Sequence, residues 1–122
     1  MTRAIALIPD LLFGSNVLGA LRAAGLDAEL AGEPAAATDL LAGADVLIVD
    51  LTGELDGSAL VRSLTASGSL AAVKTLGFYS HVDAEMRQRA QDAGFDLVVP
   101  RSRMAREGAA LVAQLAGEPS GG

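Results

Sequence analysis

The sequence predicts one α/β domain, a three-layer α/β/α sandwich built on a five-stranded parallel sheet. The first observation behind this prediction is a series of short apolar runs, each bounded by polar or turn residues, as in strands that helices cover on both faces. The second is that helix-like segments, with apolar residues three or four positions apart, alternate strictly with these runs. Such alternation is typical of parallel strands joined by right-handed crossovers.

The elements follow one another along nearly the whole chain. The predicted strands are residues 4–8, 27–30, 46–49, 75–79 and 97–99, of which the second is the weakest candidate. The predicted helices are residues 17–24, 38–42, 58–67, 84–93, and 102 or 103 to 115. A glycine follows each of the first four helices as a stop signal, and we expect Ser58 and Asp83 to cap the third and fourth.

The domain is expected to span residues 1–117. Residues 118–122 contain nothing apolar to bury, which predicts a disordered tail. No apolar run approaches the length of a signal sequence core or a membrane span, so we expect a cytoplasmic protein that is not inserted in a membrane.

Composition excludes several classes of function. The chain of 122 residues has no cysteine and one histidine, which excludes disulfides, thiolate catalysis and multi-histidine metal centres within one chain. Its net charge of -6, with three phenylalanines, one tyrosine and no tryptophan, argues against binding to nucleic acid or to an anionic membrane.

Positive charge is concentrated in the second half of the chain. Residues 1–60 carry a net charge of -7, whereas residues 61–122 carry +1. Five of the nine basic residues fall within twenty positions: Arg87, Arg89, Arg101, Arg103 and Arg106. They form either an ordinary solvated surface or a docking surface for an acidic partner.

Polar residues follow the four strongest strands at the point where each strand ends. The carboxyl ends of parallel strands meet at one edge of a sheet, and ligands bind there near the point where the strand order reverses. The residues concerned are Pro9, Asp10, Asp50, Leu51, Thr52, Ser80, His81, Asp83, Arg101, Ser102 and Arg103. The sequence therefore predicts a functional site at this edge.

Three segments carry a resemblance to a known family. They are Asp45-Val46-Leu47-Ile48-Val49-Asp50-Leu51, Leu55-Asp56-Gly57 and Ala93-Gly94-Phe95-Asp96. With the strand and helix pattern of residues 5–115, they resemble the response-regulator receiver domain, the flavodoxin-like phosphoacceptor module of two-component signalling. The resemblance puts Asp50 at the phosphoacceptor position, Ser80 at the switch position and Arg101 at the position of the family's invariant lysine.

The resemblance is incomplete around the site. The family has an acidic pair after its first strand, whereas this chain has Pro9 and Asp10. Arg101 replaces the lysine, Ser102 replaces the proline that follows it, and His81 stands where a small residue is usual. The loop after the phosphoacceptor position is one residue shorter and lacks the usual Met-Pro. With these departures, the chain resembles a degenerate receiver, or pseudo-receiver.

Two functional interpretations of Asp10 and Asp50 stay open. Asp10 and Asp50, with a backbone carbonyl near Thr52, could form a thin Mg²⁺ site, because phosphoryl transfer to an aspartate requires a divalent cation held by oxygen ligands. Alternatively, Arg101 holds Asp50 in a permanent ion pair, since arginine is not equivalent to lysine. As purely structural groups, Asp50 would cap the turn after its strand and Asp10 or Ser15 would cap the first helix.

The primary hypothesis is a stand-alone pseudo-receiver without enzymatic activity. It would recruit a protein partner, or form a homodimer, through the surface of the fourth helix, fifth strand and fifth helix. The first alternative is a phosphorylatable receiver that uses Asp50 and Mg²⁺. The second alternative is a small-molecule-binding or catalytic flavodoxin-like protein with a site made of Asp10, Asp50, Ser80, His81 and Arg101.

Overall fold

Strands and helices alternate along the chain, whose computed structural model describes residues 1–53, 55–80 and 84–117. The strands are β1 (Arg3–Leu7), β2 (Asp27–Ala31), β3 (Val46–Asp50), β4 (Lys74–Tyr79) and β5 (Leu97–Pro100). The helices are α1 (Leu11–Ala23), α2 (Pro34–Leu40), α3 (Gly57–Ala66), α4 (Ala84–Ala93) and α5 (Arg101–Leu115). All paired strands are parallel, in the order β2-β1-β3-β4-β5. The predicted parallel sheet, including its weakest strand, is confirmed.

Helices cover both faces of this sheet, because its apolar residues divide into two packed clusters. On one face, α1 and α5 pack against Ile48 and Phe78, which are fully buried. On the other face, α2, α3 and α4 pack against Leu47 and Val49. Every residue of β3 is buried, as expected for a central strand of a parallel sheet. The predicted three-layer architecture is confirmed, and none of the described helices has the length and apolar character needed to cross a membrane.

The central strands end side by side at one edge of the sheet. Leu7 lies opposite Val49 and Val49 opposite Gly77, while Tyr79 lies opposite Pro100 at the end of β5. The loops after β1, β3, β4 and β5 therefore start at the same edge, as predicted. The strand order reverses between β1 and β3, which puts the expected ligand crevice above these two strands.

Two helices start differently from the prediction. The N-cap of α3 is Asp56, whose Oδ1 accepts a hydrogen bond from Ala59 N at 3.0 Å, and not Ser58, which is buried in the first turn. The cap must lie just outside the first helical residue to reach the N–H of the third, and only Asp56 does so. Helix α5 begins at Arg101, earlier than expected, because Pro100 ends the strand and passes directly into the helix.

The remaining boundary corrections concern α1 and α2. Helix α2 spans Pro34–Leu40 and not residues 38–42, because a proline at the first helical position presets the backbone for a helix. Helix α1 begins at Leu11, so Ser15 lies inside it and is not its cap. The predicted cap Asp83 and the predicted tail, residues 118–122, lie outside the described residues.

At the amino edge of the sheet, aspartate carboxylates accept hydrogen bonds from backbone N–H groups. Asp45 accepts a hydrogen bond from Arg3 N at 2.8 Å. Asp96 accepts one from Thr75 N at 2.7 Å, and Thr75 Oγ1 accepts one from Asp96 N at 3.0 Å. Because Thr75 is buried, its N–H requires such a partner. These contacts fix the starts of β1 and β4.

Candidate functional site

Asp10 lies at the end of the β1 loop and caps α1. Its Oδ1 accepts hydrogen bonds from Leu12 N at 3.0 Å and from Phe13 N at 3.1 Å. Its Oδ2 lies 3.5 Å from Nη2 of Arg101. Both carboxylate oxygens of Asp10 therefore have partners, and the structural role predicted for Asp10 is confirmed.

Arg101 is held by an aromatic ring as well as by this carboxylate. Its guanidinium carbon lies 4.1 Å from the centroid of the Phe13 ring, and that ring packs against Phe78 with centroids 5.3 Å apart. Phe13 thus supports the guanidinium beside Asp10. We name the contact of Arg101 with Asp10 and Phe13 the arginine clamp.

The clamp replaces the ion pair between Arg101 and Asp50 that the sequence suggested. That suggestion is wrong, because Arg101 turns to Asp10, which is 91 residues away in sequence. Arg101 and Asp10 keep 39% and 49% of their side-chain exposure, so water screens the pair. An exposed ion pair contributes about 0 to 1 kcal/mol, and a cation over an aromatic ring about 0.5 to 1 kcal/mol.

Asp50, at the end of β3, is bound to its own loop. Only 5% of the residue is exposed, and Oδ1 accepts hydrogen bonds from Thr52 N at 2.7 Å and Thr52 Oγ1 at 2.5 Å. This is the turn-capping role that the sequence offered as the structural alternative. Among the described residues none donates a hydrogen bond to the second oxygen, Oδ2.

Leu51 fixes the loop that carries Asp50 and Thr52. Its backbone N–H donates to the carbonyl of Phe78 at 2.9 Å. Its side chain fills the space above two glycines, since a Cβ on Gly57 or on Gly77 would lie 2.8 Å or 2.9 Å from a Leu51 methyl group. The sequence identifies Leu51 only as a residue at a strand end and does not predict this packing. A glycine inside a strand, as at Gly77, is the signal of close approach that could have indicated it.

Two cavities separate the predicted site residues into two groups. The first, of about 510 Å³, is lined by Pro9, Asp10, Asp50, Thr52, Gly53 and Leu55. The second, of about 410 Å³, is lined by Phe13, Ser80, Pro100, Arg101, Ser102 and Ala105. The structure therefore brings Asp10, Asp50 and Thr52 together and places Ser80, Arg101 and Ser102 beside them.

Three predicted site residues do not join these cavities or cannot be placed. Arg103 Nε lies 3.3 Å from Glu107 Oε2, one turn along α5, in an exposed pair. His81 and Asp83 lie outside the described residues. Phe13 is not among the residues that the sequence predicted for the site, and its support of Arg101 was missed.

Most carboxylate oxygens of the predicted Mg²⁺ site are bound to other groups in this structure. Mg²⁺ takes about six oxygen ligands in near-octahedral geometry, of which proteins usually supply one or two as carboxylates while water supplies the others. Both oxygens of Asp10 are already used, one of them by a cationic group, and Oδ1 of Asp50 already accepts two hydrogen bonds. Within the described ranges, no three or more His, Cys, Asp or Glu side chains come together in a way that could hold a metal ion.

Solved structures of response-regulator receiver domains are similar to this chain. The receiver domain of the Francisella response regulator 1452 matches with a TM-score of 0.83 and 17% identity, over 96% of this chain and 98% of that one. The receiver domain of the putative response regulator NarL from Mycobacterium tuberculosis matches with a TM-score of 0.82 and 19% identity, over 97% and 98%. A protein described as an atypical orphan response regulator with a phosphorylation-independent regulatory mechanism matches with a TM-score of 0.79 and 13% identity, over 95% and 96%.

The likeness lies in the fold and extends over almost the entire length of these chains. A scan against protein-family models and a search of the curated proteins found no match. The chain has the flavodoxin-like fold of the response-regulator receiver domain, as its sequence predicted.

Proposed function

We propose that this chain is a pseudo-receiver, a signalling module that acts by binding a protein partner and does not transfer a phosphoryl group to Asp50. The arginine clamp carries this proposal. It occupies Asp10, the single carboxylate left at the end of β1, with the chain's own cation.

The chemistry of phosphoryl transfer explains why the clamp matters. Transfer to an aspartate needs a divalent cation to neutralise the phosphate oxygens, and hard oxygen ligands must hold that cation. Here the guanidinium of Arg101 takes one oxygen of Asp10, and the N–H groups of Leu12 and Phe13 take the other. A lysine would present a compact charge that can contact a phosphoryl group, whereas the planar guanidinium is stacked on Phe13.

The acceptor carboxylate is also partly occupied. Thr52 donates two hydrogen bonds to Oδ1 of Asp50, which fixes the carboxylate and lowers the nucleophilicity of that oxygen. One of the similar structures belongs to an orphan response regulator described as using a phosphorylation-independent mechanism, so a receiver fold that works without this reaction has a precedent.

The arginines of α4 and α5 support a protein-binding role. Arg89 pairs with Asp56 at 3.4 Å, while Arg87 and Arg106 are exposed and form no ion pair within the described part of the chain. Exposed guanidinium groups without an ion-pair partner can bind the carboxylates of an acidic partner. We place the partner, or a second copy of the chain, on the surface of α4, β5 and α5.

Incubation with acetyl phosphate and Mg²⁺, followed by intact-mass measurement, tests the absence of phosphotransfer. We expect no increment of about 80 Da, the mass of one phosphoryl group. A phosphorylatable receiver domain treated in the same way serves as the positive control, and Asp50→Asn as the matched variant. An increment that wild type gains and Asp50→Asn lacks would overturn the proposal.

That outcome would favour the alternative, a phosphorylatable receiver. One observation supports it: Asp50 is almost buried, yet its Oδ2 has no donor among the described residues and the residue lines a cavity of about 510 Å³. Phosphorylation of Oδ2 would also need a divalent cation, and Arg101 would have to release Asp10 for Asp10 to bind that cation.

A further inference from the structure

We infer that a cavity between α3 and α4 binds a small carboxylic acid in its ionised form, with the carboxylate at the N-terminus of α3. The cavity has a volume of about 330 Å³, which is in the range of small-molecule sites. Its lining includes Leu51, Leu55, Asp56, Ser58, Met86 and Arg89. Neither Asp50 nor any residue of the arginine clamp lines this α3/α4 cavity, so the site is separate from the proposed function and does not depend on it.

Ser58 supplies the first argument, because it is a buried polar residue whose side chain has no hydrogen-bond partner in the described part of the chain. Only 5% of the residue is exposed. Its Oγ forms no hydrogen bond with the described residues and yet is not sealed from solvent, so it opens into the cavity that Ser58 lines. A buried hydroxyl group without a partner costs free energy, and a ligand that hydrogen-bonds to Oγ would offset that cost.

The N-terminus of α3 adds a backbone donor at the same position. Ser58 is the second residue of this ten-residue helix, and its N–H has no acceptor among the described residues. The N–H groups of Ala59 and Leu60, by contrast, donate to Oδ1 and to the carbonyl of Asp56. Unpaired N–H groups and the helix dipole favour an anion at a helix N-terminus. An anion bound here would accept hydrogen bonds from both the N–H and the Oγ of Ser58.

Arg89 provides positive charge in the lining of the cavity. It contacts Asp56 through Nη2 alone, at 3.4 Å, so Nε and Nη1 have no acceptor among the described residues. Asp56 is the only acidic side chain among the described lining residues, and its charge cancels that of Arg89. At an ionic strength of about 0.15 M, salt screens charges more than about 8 Å apart. The local charge therefore permits an anion on a chain whose net charge is -6.

The remaining lining residues define the class of ligand. Leu51, Leu55 and Met86 place apolar side chains around the donors, and an inorganic anion would leave these side chains in water. A cationic ligand would meet no unpaired carboxylate in the described lining, since both oxygens of Asp56 already have partners. A carboxylate attached to a short branched hydrocarbon satisfies the donors and the apolar side chains together.

Backbone-amide NMR titration with 4-methylpentanoate tests this inference on the whole chain. One control ligand, 4-methylpentanamide, keeps the shape and removes the charge, and a second, acetate, keeps the carboxylate and removes the hydrocarbon. We expect saturable shifts of the Gly57 and Ser58 amides, with a Kd of about 1 mM or less. Each control should bind at least about tenfold more weakly, because it loses either the charge-assisted hydrogen bonds or the apolar contacts.

Ser58→Ala gives the most specific result, because binding and stability should change differently. Removal of Oγ should weaken binding of 4-methylpentanoate by about fivefold or more. The melting temperature should stay the same or rise, since the wild-type protein buries a hydroxyl group without a partner among the described residues. Ser63→Ala is the matched control, which makes the same change at an exposed position of α3 outside the cavity and should leave binding unchanged.

Arg89→Gln and Arg87→Gln form a second matched pair. Both variants remove one positive charge from an exposed position of α4, but only Arg89 lines the cavity. Arg89→Gln should weaken binding by about fivefold or more, and Arg87→Gln by less than about twofold. Equal effects would mean that the net charge of the chain, and not a contact in the cavity, governs binding.

Four further results would overturn the inference. They are the absence of saturable shifts at Ser58, equally tight binding of a control ligand, larger shifts at the arginine clamp than at the α3/α4 cavity, and a lower melting temperature for Ser58→Ala. The third would place the carboxylate on Arg101, and the fourth would give Ser58 a structural role. Because these titrations contain no acetyl phosphate, phosphorylation of Asp50 in the separate experiment would contradict the proposed function and leave the cavity assignment intact.

Discussion

The two edges of the sheet use their carboxylates in opposite ways. At the amino edge, Asp45 and Asp96 accept hydrogen bonds of 2.8 Å and 2.7 Å from strand N–H groups. At the carboxyl edge, Asp10 meets a guanidinium at 3.5 Å, and both Asp10 and Asp50 border a cavity. Carboxylates at the amino edge therefore fix the N–H groups of strands, whereas those at the carboxyl edge accept N–H hydrogen bonds from their own loops, as from Thr52 N at 2.7 Å and Leu12 N at 3.0 Å, and border open space.

This difference associates the amino edge with stability and the carboxyl edge with the candidate site. If a carboxylate that accepts a hydrogen bond from a buried strand N–H moves away, that N–H is left without an acceptor, which costs free energy. The contacts at the amino edge are therefore expected to stay closed. An exposed ion pair contributes little stability, so the arginine clamp can open for a ligand at small cost. Binding and catalytic residues are generally found on loops that a rigid scaffold positions, and the candidate site has this placement.

Gly57→Ala should produce the largest effect and tests whether the Leu51 anchor is as rigid as the amino edge. A Cβ at this position would lie 2.5 Å from Cγ1 of Val49 and 2.8 Å from a methyl group of Leu51. We expect a loss of about 2 to 3 kcal/mol in the free energy of unfolding, measured with urea, because core overpacking costs this much. Gly53→Ala is the matched control, since its Cβ would meet nothing within 4 Å. Equal effects would mean that Leu51 does not anchor the loop.

Asp96→Ala measures the amino edge directly. It leaves the N–H of Thr75 without its acceptor, and we expect unfolding to become easier by about 1 to 3 kcal/mol. Asp96→Asn keeps an acceptor oxygen and should cost less. Urea denaturation of the two variants checks the prediction, which fails if both leave stability unchanged.

Arg101→Ala should produce the smallest change in the free energy of unfolding and tests the stability of the carboxyl edge. The exposed ion pair and the contact with Phe13 together predict a loss of at most about 2 kcal/mol in the free energy of unfolding. Arg101→Lys, which keeps the charge and loses the planar stacking, should fall between wild type and the alanine variant. A loss larger than that of Asp96→Ala would remove the distinction between the two edges.

The fold was predictable because its signals are local and repeated. Apolar runs ending in polar residues located every strand, and the glycines after the helices located most helix ends. The prediction of Ser58 as the N-cap of α3 was wrong because Asp56 and Ser58 are both residue types that cap helices well. Only the backbone geometry decides between them. An error of this size moves an element boundary and leaves the topology unchanged.

The site was predictable in position but not in pairing. Because the carboxyl ends of parallel strands share one edge, the sequence correctly predicted that Asp10, Asp50 and Arg101 lie in one region of the molecule. It could not assign Arg101 to Asp10, because that contact joins residues 91 apart and depends on where the Phe13 ring lies. Asp50 had a nearer partner in Thr52, two residues along the chain.

The strand order also determines how the protein can associate with other chains. The outermost strands are β2, which presents Asp27 and Glu29 to Arg3 at 3.0 Å and 3.9 Å, and β5, which has four residues and ends in Pro100. Charged side chains on one rim and a residue without an N–H on the other discourage the addition of a sixth strand. Such edges favour association through helix side chains over backbone pairing of the kind that leads to aggregates.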